Sequence, residues 1–213
     1  MSQKEIVDYL QTDIRESVID DVKPCLTLGV PRGGYFSVPR LVLGYVDYLG
    51  ALYHGYTGQN TNQGRRIFAR ASYAKEFLHD VFAKVDPEYA KYGNLLWEIY
   101  RNGPVHLYEP LNLKNPSGSI IQWQIFKSED KSAILPIKFS GGHKKMLVIH
   151  LLPVRVESNE WIQPISTGCL YNDLLAAIDE YTKMIQTDPD LEIKFRDTVN
   201  ELILPENTSL TWP

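Results

Sequence analysis

The sequence predicts an α+β fold in which a mainly helical bundle is followed by a small antiparallel β-meander and then by C-terminal helices. Apolar residues recur at helical spacings of three and four over residues 1–112. They alternate with polar residues over 117–165, and the helical spacing returns over 168–204. No internal repeat or low-complexity linker divides the 213 residues, so we expect one domain.

Composition narrows the class of protein. Hydrophobic residues make up 44% of the chain and charged residues 23%, which is typical of a folded globular protein. The formal charge of −4 argues against broad, non-specific adhesion to nucleic acid. The N-terminus does not resemble a signal peptide, and no apolar stretch approaches the roughly 20 residues that span a bilayer. We therefore expect a cytoplasmic protein without membrane contact, whose two cysteines, Cys25 and Cys169, pack as small apolar groups.

Four helices are expected in the first half of the chain. Ser37 is a candidate N-cap of the second, most apolar helix, and Pro39 suits its first turn. Gly50, inside that helix, is expected to permit close packing of a neighbouring helix or else simply to weaken the helix. The predicted helices run over residues 3–20, from Tyr35 onward, over 65–85, and from Asp86-Pro87 to Arg101.

The second half predicts strands and then two helices. In the first half, an irregular segment over 23–34 separates the first two predicted helices. The last helix is expected to begin at Asp188-Pro189, an aspartate cap followed by proline in the first turn. The predicted strands, taken as an antiparallel meander, cover 121–125, 133–139, 145–156 and 160–165, and a helix covers 170–185.

One short motif carries candidate chemistry. Arg101, Asn102 and His106 form the pattern R-N-x-x-x-H at the end of the fourth helix. A guanidinium presents several donors that suit phosphate oxygens, and an imidazole exchanges protons near neutral pH. Together they are sufficient to cleave RNA without a metal, because the 2′-hydroxyl supplies an internal nucleophile. His106 would activate that hydroxyl, and Arg101 would offset the charge that builds on the phosphorane oxygens.

This motif resembles the signature of the HEPN superfamily, which consists of small helical domains. The signature is an arginine, four to six residues and a histidine, often with a polar residue such as asparagine directly after the arginine. The resemblance covers residues 35–110, with helices over 170–202 completing the bundle and the sheet as an elaboration. It implies a metal-independent endoribonuclease or an RNA-binding protein that needs no cofactor. It also implies a homodimer in which two arginine–histidine pairs share one cleft, and possible partnership with an antitoxin-like protein.

Residues outside the motif are also candidates for supporting roles. Asp47 lies within the most apolar helix, where a carboxylate needs a cationic or hydrogen-bonding partner. We expect Asp47 to face the interior of the bundle and to pair with Arg101 or with a tyrosine hydroxyl. Tyr100 and Tyr108 flank the motif and are expected to line a cleft.

Three arginines begin the predicted third helix. Arg65, Arg66 and Arg70 are candidates to follow an RNA backbone, since cations at a helix N-terminus oppose the helix dipole and need a partner. A solvated charged face is the alternative. A metal site is not expected, because His143 and His150 have no cysteine or acid near them at ligand spacing.

Two further functions remain open at this stage. In the first, the chain is a non-catalytic interaction or regulatory domain, and Arg101 and His106 only hold the helix end together. In the second, an aromatic groove binds a small molecule or a peptide.

Overall fold

A computed structural model describes residues 1–27, 34–58, 70–102 and 110–203. For Asn102 it describes the backbone and not the side chain. The first helical stretch consists of α1 (Gln3–Asp8), a π-helical turn (Tyr9–Ile14) and α2 (Arg15–Thr27). It continues beyond the predicted end at residue 20, because Val22 extends the buried stripe of the preceding turns. The irregular segment predicted from residue 23 is therefore wrong as far as Thr27, and Pro24 lies within the last turns of α2.

The remaining helices of the body pack around α3. Its predicted N-cap is wrong: α3 begins at Ser37 itself, and the preceding residue, Phe36, makes no capping bond through its side chain. The start predicted at residue 65 for the next helix lies outside the described residues; α4 begins at Ala71, because Arg70 before it is extended (φ −138°, ψ 150°). The elements are α3 (Ser37–His54), α4 (Ala71–Phe77), a second π-helical turn (Leu78–Phe82), α5 (Ala83–Val85), α6 (Glu88–Trp97) and a third π-helical turn (Glu98–Asn102).

Gly50 brings α3 and α4 into close contact. A Cβ added there would lie 2.8 Å from the carbonyl carbon of Tyr73 and 2.9 Å from the Cα of Ala74. Real Cβ atoms do not approach backbone so closely, so only glycine fits without movement of α4. The expected packing role of Gly50 is confirmed.

Both C-terminal helices begin at a side-chain cap, and only the second cap was predicted. α7 (Thr167–Thr187) is capped by the Ser166 hydroxyl, which accepts from the Cys169 N–H. α8 (Pro189–Leu202) is capped by Asp188, whose carboxylate accepts from the N–H groups of Asp190 and Leu191. The prediction of an aspartate cap followed by proline is confirmed for α8.

The strands do not form one antiparallel meander. β2 and β6 are parallel neighbours in a four-stranded sheet of order β1-β2-β6-β5, whereas β3 and β4 form a separate antiparallel hairpin. Parallel neighbours need a long connection, which β3, β4 and β5 supply here. The strands are β1 (Leu113–Lys114), β2 (Ile120–Phe126), β3 (Ser132–Phe139), β4 (Gly142–Ile149), β5 (Val154–Glu157) and β6 (Glu160–Ser166).

The long strand predicted over 145–156 is in fact two strands. β4 ends at Ile149 and β5 begins at Val154, with Leu151 between them at a φ of 67°. Leu151 and His150 are both buried, so the chain turns inward at this point and leaves the hairpin. A residue other than glycine rarely adopts this φ. The break could not be inferred from the sequence, because the residues around it form one apolar run.

Two hydrophobic cores organise the molecule. The larger joins α1–α4, α6, α7 and α8 with inward-facing residues of β2 and β6. The smaller lies beneath the hairpin and contains Phe126, Ile137, Val148, Val156 and Ile162. The predicted α+β architecture is confirmed at this level. Within the described part of the chain, no helix has the length and apolarity needed to cross a membrane.

Candidate functional site

The third π-helical turn presents Arg101 at the end of the α6 stretch. Ile99 and Tyr100 are fully buried and fix the turn against the core. The N–H of Leu111 donates to the carbonyl of Ile99 at 2.9 Å. The chain that leaves this helix end after Asn102 therefore returns to the same helix end by Leu111.

Tyr100 fastens the same turn to the sheet. Its hydroxyl donates to the Gln163 carbonyl at 2.5 Å and accepts from the Gln124 N–H at 3.1 Å, which connects it to both β6 and β2. Its complete burial raises the pKa of the Tyr100 hydroxyl, so it stays protonated. The expectation that Tyr100 lines an open cleft is wrong, because its ring and its hydroxyl are both satisfied inside the protein.

Asp47 and Arg101 form an ion pair. Arg101 Nη2 donates to Asp47 Oδ2 at 2.9 Å, and the two side chains are 22–23% exposed. The pairing of Asp47 with Arg101 is thus confirmed, but Asp47 lies at the half-buried edge of the bundle and not in its interior. The Arg101 guanidinium carbon lies 5.8 Å from the centre of the Trp97 ring. Its Nε is buried and has no hydrogen-bond partner among the described residues.

Arg101 lies at one end of an open groove along α3. One depression of about 530 Å³ contains Arg101, and a second of about 390 Å³ shares three α3 residues with it. We call the two together the α3 groove. Its lining residues are Ile14, Ser17, Cys25, Ser37, Arg40, Leu41, Gly44, Tyr45, Tyr48 and Arg101.

The groove combines cations with aromatic rings. Arg40 and Arg101 supply positive charge, and Tyr45 and Tyr48 supply ring surface. The Tyr45 hydroxyl donates to Asp21 at 2.6 Å, which together with burial raises the pKa of Tyr45. The hydroxyls of Tyr48 and Tyr9 are hydrogen-bonded at 2.7 Å, so both groove tyrosines are held in fixed positions. Basic and aromatic groups in one groove are the combination that binds single-stranded nucleic acid.

Gly44 forms part of the groove floor without a packing reason. A Cβ added at Gly44 would meet no atom within 4 Å, in contrast to Gly50. Glycine within a helix is less favourable than alanine by about 1 kcal/mol. Nothing in the surrounding packing requires this cost, and Gly44 is one of the three residues that line both depressions.

The described groove residues can bind an anion, but the groups most often used for general acid–base catalysis are missing among them. No histidine or carboxylate is among those that line it. Proton transfer at this site would therefore have to come from the rest of the motif. His106, Tyr108, Arg65 and Arg66 lie outside the described residues, as does the side chain of Asn102. Arg70 is exposed at the start of α4 and is not among the described groove residues.

A buried polar cluster connects the sheet with the helices, and the sequence did not indicate it. The Ser166 N–H donates to His150 Nδ1 at 2.9 Å, so in a neutral ring the proton lies on Nε2. Nε2 is 3.3 Å from Asp173 Oδ2, which also accepts from the Tyr89 hydroxyl at 2.9 Å. The only available signal was Asp173 on the apolar side of α7, a carboxylate that needs a partner.

A second ion pair borders this cluster. Lys131 Nζ lies 2.6 Å from Asp86 Oδ2, and the Glu88 N–H donates to Asp86 Oδ1 at 3.0 Å. Burial acts to raise the pKa of Asp86, but the bonds from Lys131 and Glu88 outweigh it and hold that pKa below its ordinary value. Over the described part of the chain, no group of three or more His, Cys, Asp or Glu residues is arranged to hold a metal ion. Through the contact between His150 and Asp173, the buried cluster joins the base of the β3–β4 hairpin to α7.

Comparisons with protein-family models, with characterised proteins and with solved structures found no significant match to this chain.

Proposed function

We propose that this protein binds RNA in the α3 groove and cleaves it without a metal, with Arg101 and His106 acting on the phosphodiester. The observation that supports this most is the position of Arg101. Its guanidinium is held by Asp47 at the end of an open groove that also contains Arg40. A preorganised guanidinium stabilises developing negative charge at little reorganisation cost.

The chemistry proceeds by transfer within the RNA. His106 accepts the proton of the 2′-hydroxyl, whose oxygen forms a bond to phosphorus while the bond to the 5′-oxygen breaks. The leaving 5′-oxygen takes up a proton from water, His106 releases the proton it accepted to the solvent, and the products are a 2′,3′-cyclic phosphate and a 5′-hydroxyl. Arg101 contacts the non-bridging oxygens, where charge builds as the phosphorane forms.

Asp47 acts as a positioning residue in this proposal. Since it holds one terminal nitrogen of Arg101, it restricts the guanidinium to one orientation at the groove end. It also reduces the net charge there, so binding must draw on Arg40 as well. We expect Asp47→Asn to lower the cleavage rate more than the RNA affinity.

The experiment compares cleavage of single-stranded and hairpin RNA in EDTA. The variants are Arg101→Ala, His106→Ala and, as a matched control, Lys183→Ala, which removes an exposed cation of α7. We expect the first two to lose cleavage and the control to retain it. Arg101→Ala should also weaken binding and reduce its salt dependence, because a phosphate contact is lost. Equal cleavage by all four proteins, or none by the wild type, would contradict the proposal.

The Asp47–Arg101 ion pair also favours one alternative, a non-catalytic interaction domain. In that case Arg101 only joins the helix end to α3. Asp47→Asn/Arg101→Gln removes both charges and leaves neither uncompensated. This alternative predicts that the double variant loses stability and no RNA-dependent property, whereas our proposal predicts that it also loses cleavage.

A further inference from the structure

The β3–β4 hairpin has an outer face that nothing in the described structure covers. In its register Ile134 lies opposite Leu147, Pro136 opposite Lys145, and Lys138 opposite His143. Alternation along each strand places all six on one side, and all six are exposed. We call them the ribbon face. Ile134 is 70% exposed and Leu147 is 58% exposed, whereas the opposite side of the hairpin packs on the smaller core.

The ribbon face is basic within an acidic protein. Residues 131–156 contain five of the 22 Lys and Arg residues and none of the 26 Asp and Glu residues. Because the whole chain carries −4, the remainder carries −9. Lys138 and Lys145 form no ion pair with any residue in the described ranges. Two uncompensated cations therefore border an exposed apolar pair.

The outer side of α8 carries the complementary pattern. Ile193 is 49% exposed there. Asp190 and Asp197 are exposed and lie three and four residues from Ile193, so they are its neighbours on the same side of the helix. Lys194 lies near them, but its side chain packs against Gly55. We call Asp190, Ile193 and Asp197 the acidic face.

We propose that the ribbon face of one copy of this protein docks on the acidic face of a second copy. Lys138 and Lys145 would pair with Asp190 and Asp197, while Ile134 and Leu147 would cover Ile193. Apolar patches bordered by polar groups mark protein interfaces. The lysines of the ribbon face and the aspartates of the acidic face carry opposite charges, which favours a second copy as the partner. Nucleic acid fits less well, because the ribbon face has no Phe, Tyr, Trp or Arg side chain, and His143 is its only ring on which a base could stack.

The contact is small, and this affects the expected assembly. A stable interface buries about 800 Å² and involves about 20–30 residues on each partner, whereas the ribbon face has six residues. A two-fold dimer makes each contact twice, which doubles the buried area. The proposal is independent of the RNA chemistry, since neither face contains a residue of the α3 groove.

Charge reversal with mutual rescue tests the proposal. Sedimentation velocity over a concentration series would compare the wild type with Lys138→Glu/Lys145→Glu and with Asp190→Lys/Asp197→Lys. We expect the wild type to dimerise and each variant alone to dimerise at least about tenfold more weakly, because like charges then face each other. An equimolar mixture of the two variants should restore the dimer, since each then presents a charge opposite to its partner.

Several outcomes would overturn the proposal. A wild type that stays monomeric up to about 100 μM would do so, as would dimerisation that neither variant weakens or that mixing does not restore. If the hairpin variant lost RNA affinity while its dimerisation was unchanged, the ribbon face would be a nucleic-acid contact instead. Ile134→Thr/Leu147→Thr provides a second variant without charge change, and we expect it to weaken the dimer as well. Thermal unfolding of each protein verifies that it is folded.

Discussion

Arg101 Nη2 and Asp47 Oδ2 are 2.9 Å apart, although the two residues are separated by 54 positions in the sequence. The bond joins the end of the α6 stretch to the middle of α3. It fixes a guanidinium at the end of the α3 groove and supplies the partner that a carboxylate in an apolar helix requires. The stability of the protein and the proposed chemistry therefore depend on the same contact.

The first prediction concerns the energy of this pair. We expect Asp47→Asn to lower the free energy of unfolding by about 1–3 kcal/mol, because Arg101 then loses its charge partner in a half-buried place. Arg101→Gln should have a similar effect. A double-mutant cycle by urea denaturation measures the coupling, and we expect the double variant to be less destabilised than the two effects added together. Additivity within about 0.3 kcal/mol would show that the pair contributes nothing.

The second prediction uses Gly44 to separate the groove from the fold. Gly44→Ala should raise the free energy of unfolding by about 1 kcal/mol, because alanine favours the helix and meets no neighbouring atom. It should leave RNA affinity nearly unchanged. Gly44→Phe should fold normally and weaken RNA binding by about tenfold or more, since its ring would occupy the groove. Unchanged RNA affinity of Gly44→Phe would place the RNA elsewhere on the protein.

The third prediction uses the two cysteines as reporters. Cys25 is partly exposed and lines the groove beside Arg101, whereas Cys169 is 4% exposed and its burial raises the pKa of its thiol. Alkylation followed by intact-protein mass spectrometry should therefore modify Cys25 first. Saturating RNA should slow that modification. A Cys25→Ala variant is the control and should show no rapid modification; equal rates with and without RNA would contradict occupation of the groove.

The fourth prediction concerns pH. The folded-state pKa of Asp86 is lower than its unfolded value, so the Lys131 pair contributes stability above an unfolded pKa of about 3.9 and loses it as pH falls through the folded pKa. We expect Lys131→Gln to lower the free energy of unfolding by about 0.5–1 kcal/mol at pH 7, a small effect because the Lys131 side chain is 57% exposed. The difference from wild type should disappear once the pH is below the folded-state pKa of Asp86, because the carboxyl is then protonated in both proteins. A difference that persists there would show that Lys131 acts through packing.

Helix positions could be predicted because apolar periodicity reports burial directly. The aspartate–proline start of α8 and the close approach at Gly50 followed from local chemistry, and both are confirmed. Strand partners could not be predicted in the same way. Alternation identifies β2 and β6 as strands, but it carries no information about whether two strands pair in parallel. The break at Leu151 was hidden because the residues on both sides are apolar.

Contacts within the candidate site could be predicted only where one residue, such as a carboxylate in an apolar helix, requires a partner. Asp47 required a partner, and Arg101 was one of the two expected, beside a tyrosine hydroxyl. Tyr100 was assigned to a cleft because sequence does not show where a hydroxyl finds its acceptor, which here is a β6 carbonyl. His150 and Asp173 were missed as a pair because the fold alone brings them together.

The most direct test of the central claim is single-turnover cleavage, in EDTA, of one RNA and of the same RNA with a 2′-deoxynucleotide at the cleaved position. We predict that the wild type leaves a 2′,3′-cyclic phosphate on the unmodified strand, fails to cleave the deoxy strand, and loses cleavage with Arg101→Ala or His106→Ala. Cleavage of the deoxy strand, or cleavage that survives both substitutions, would contradict it.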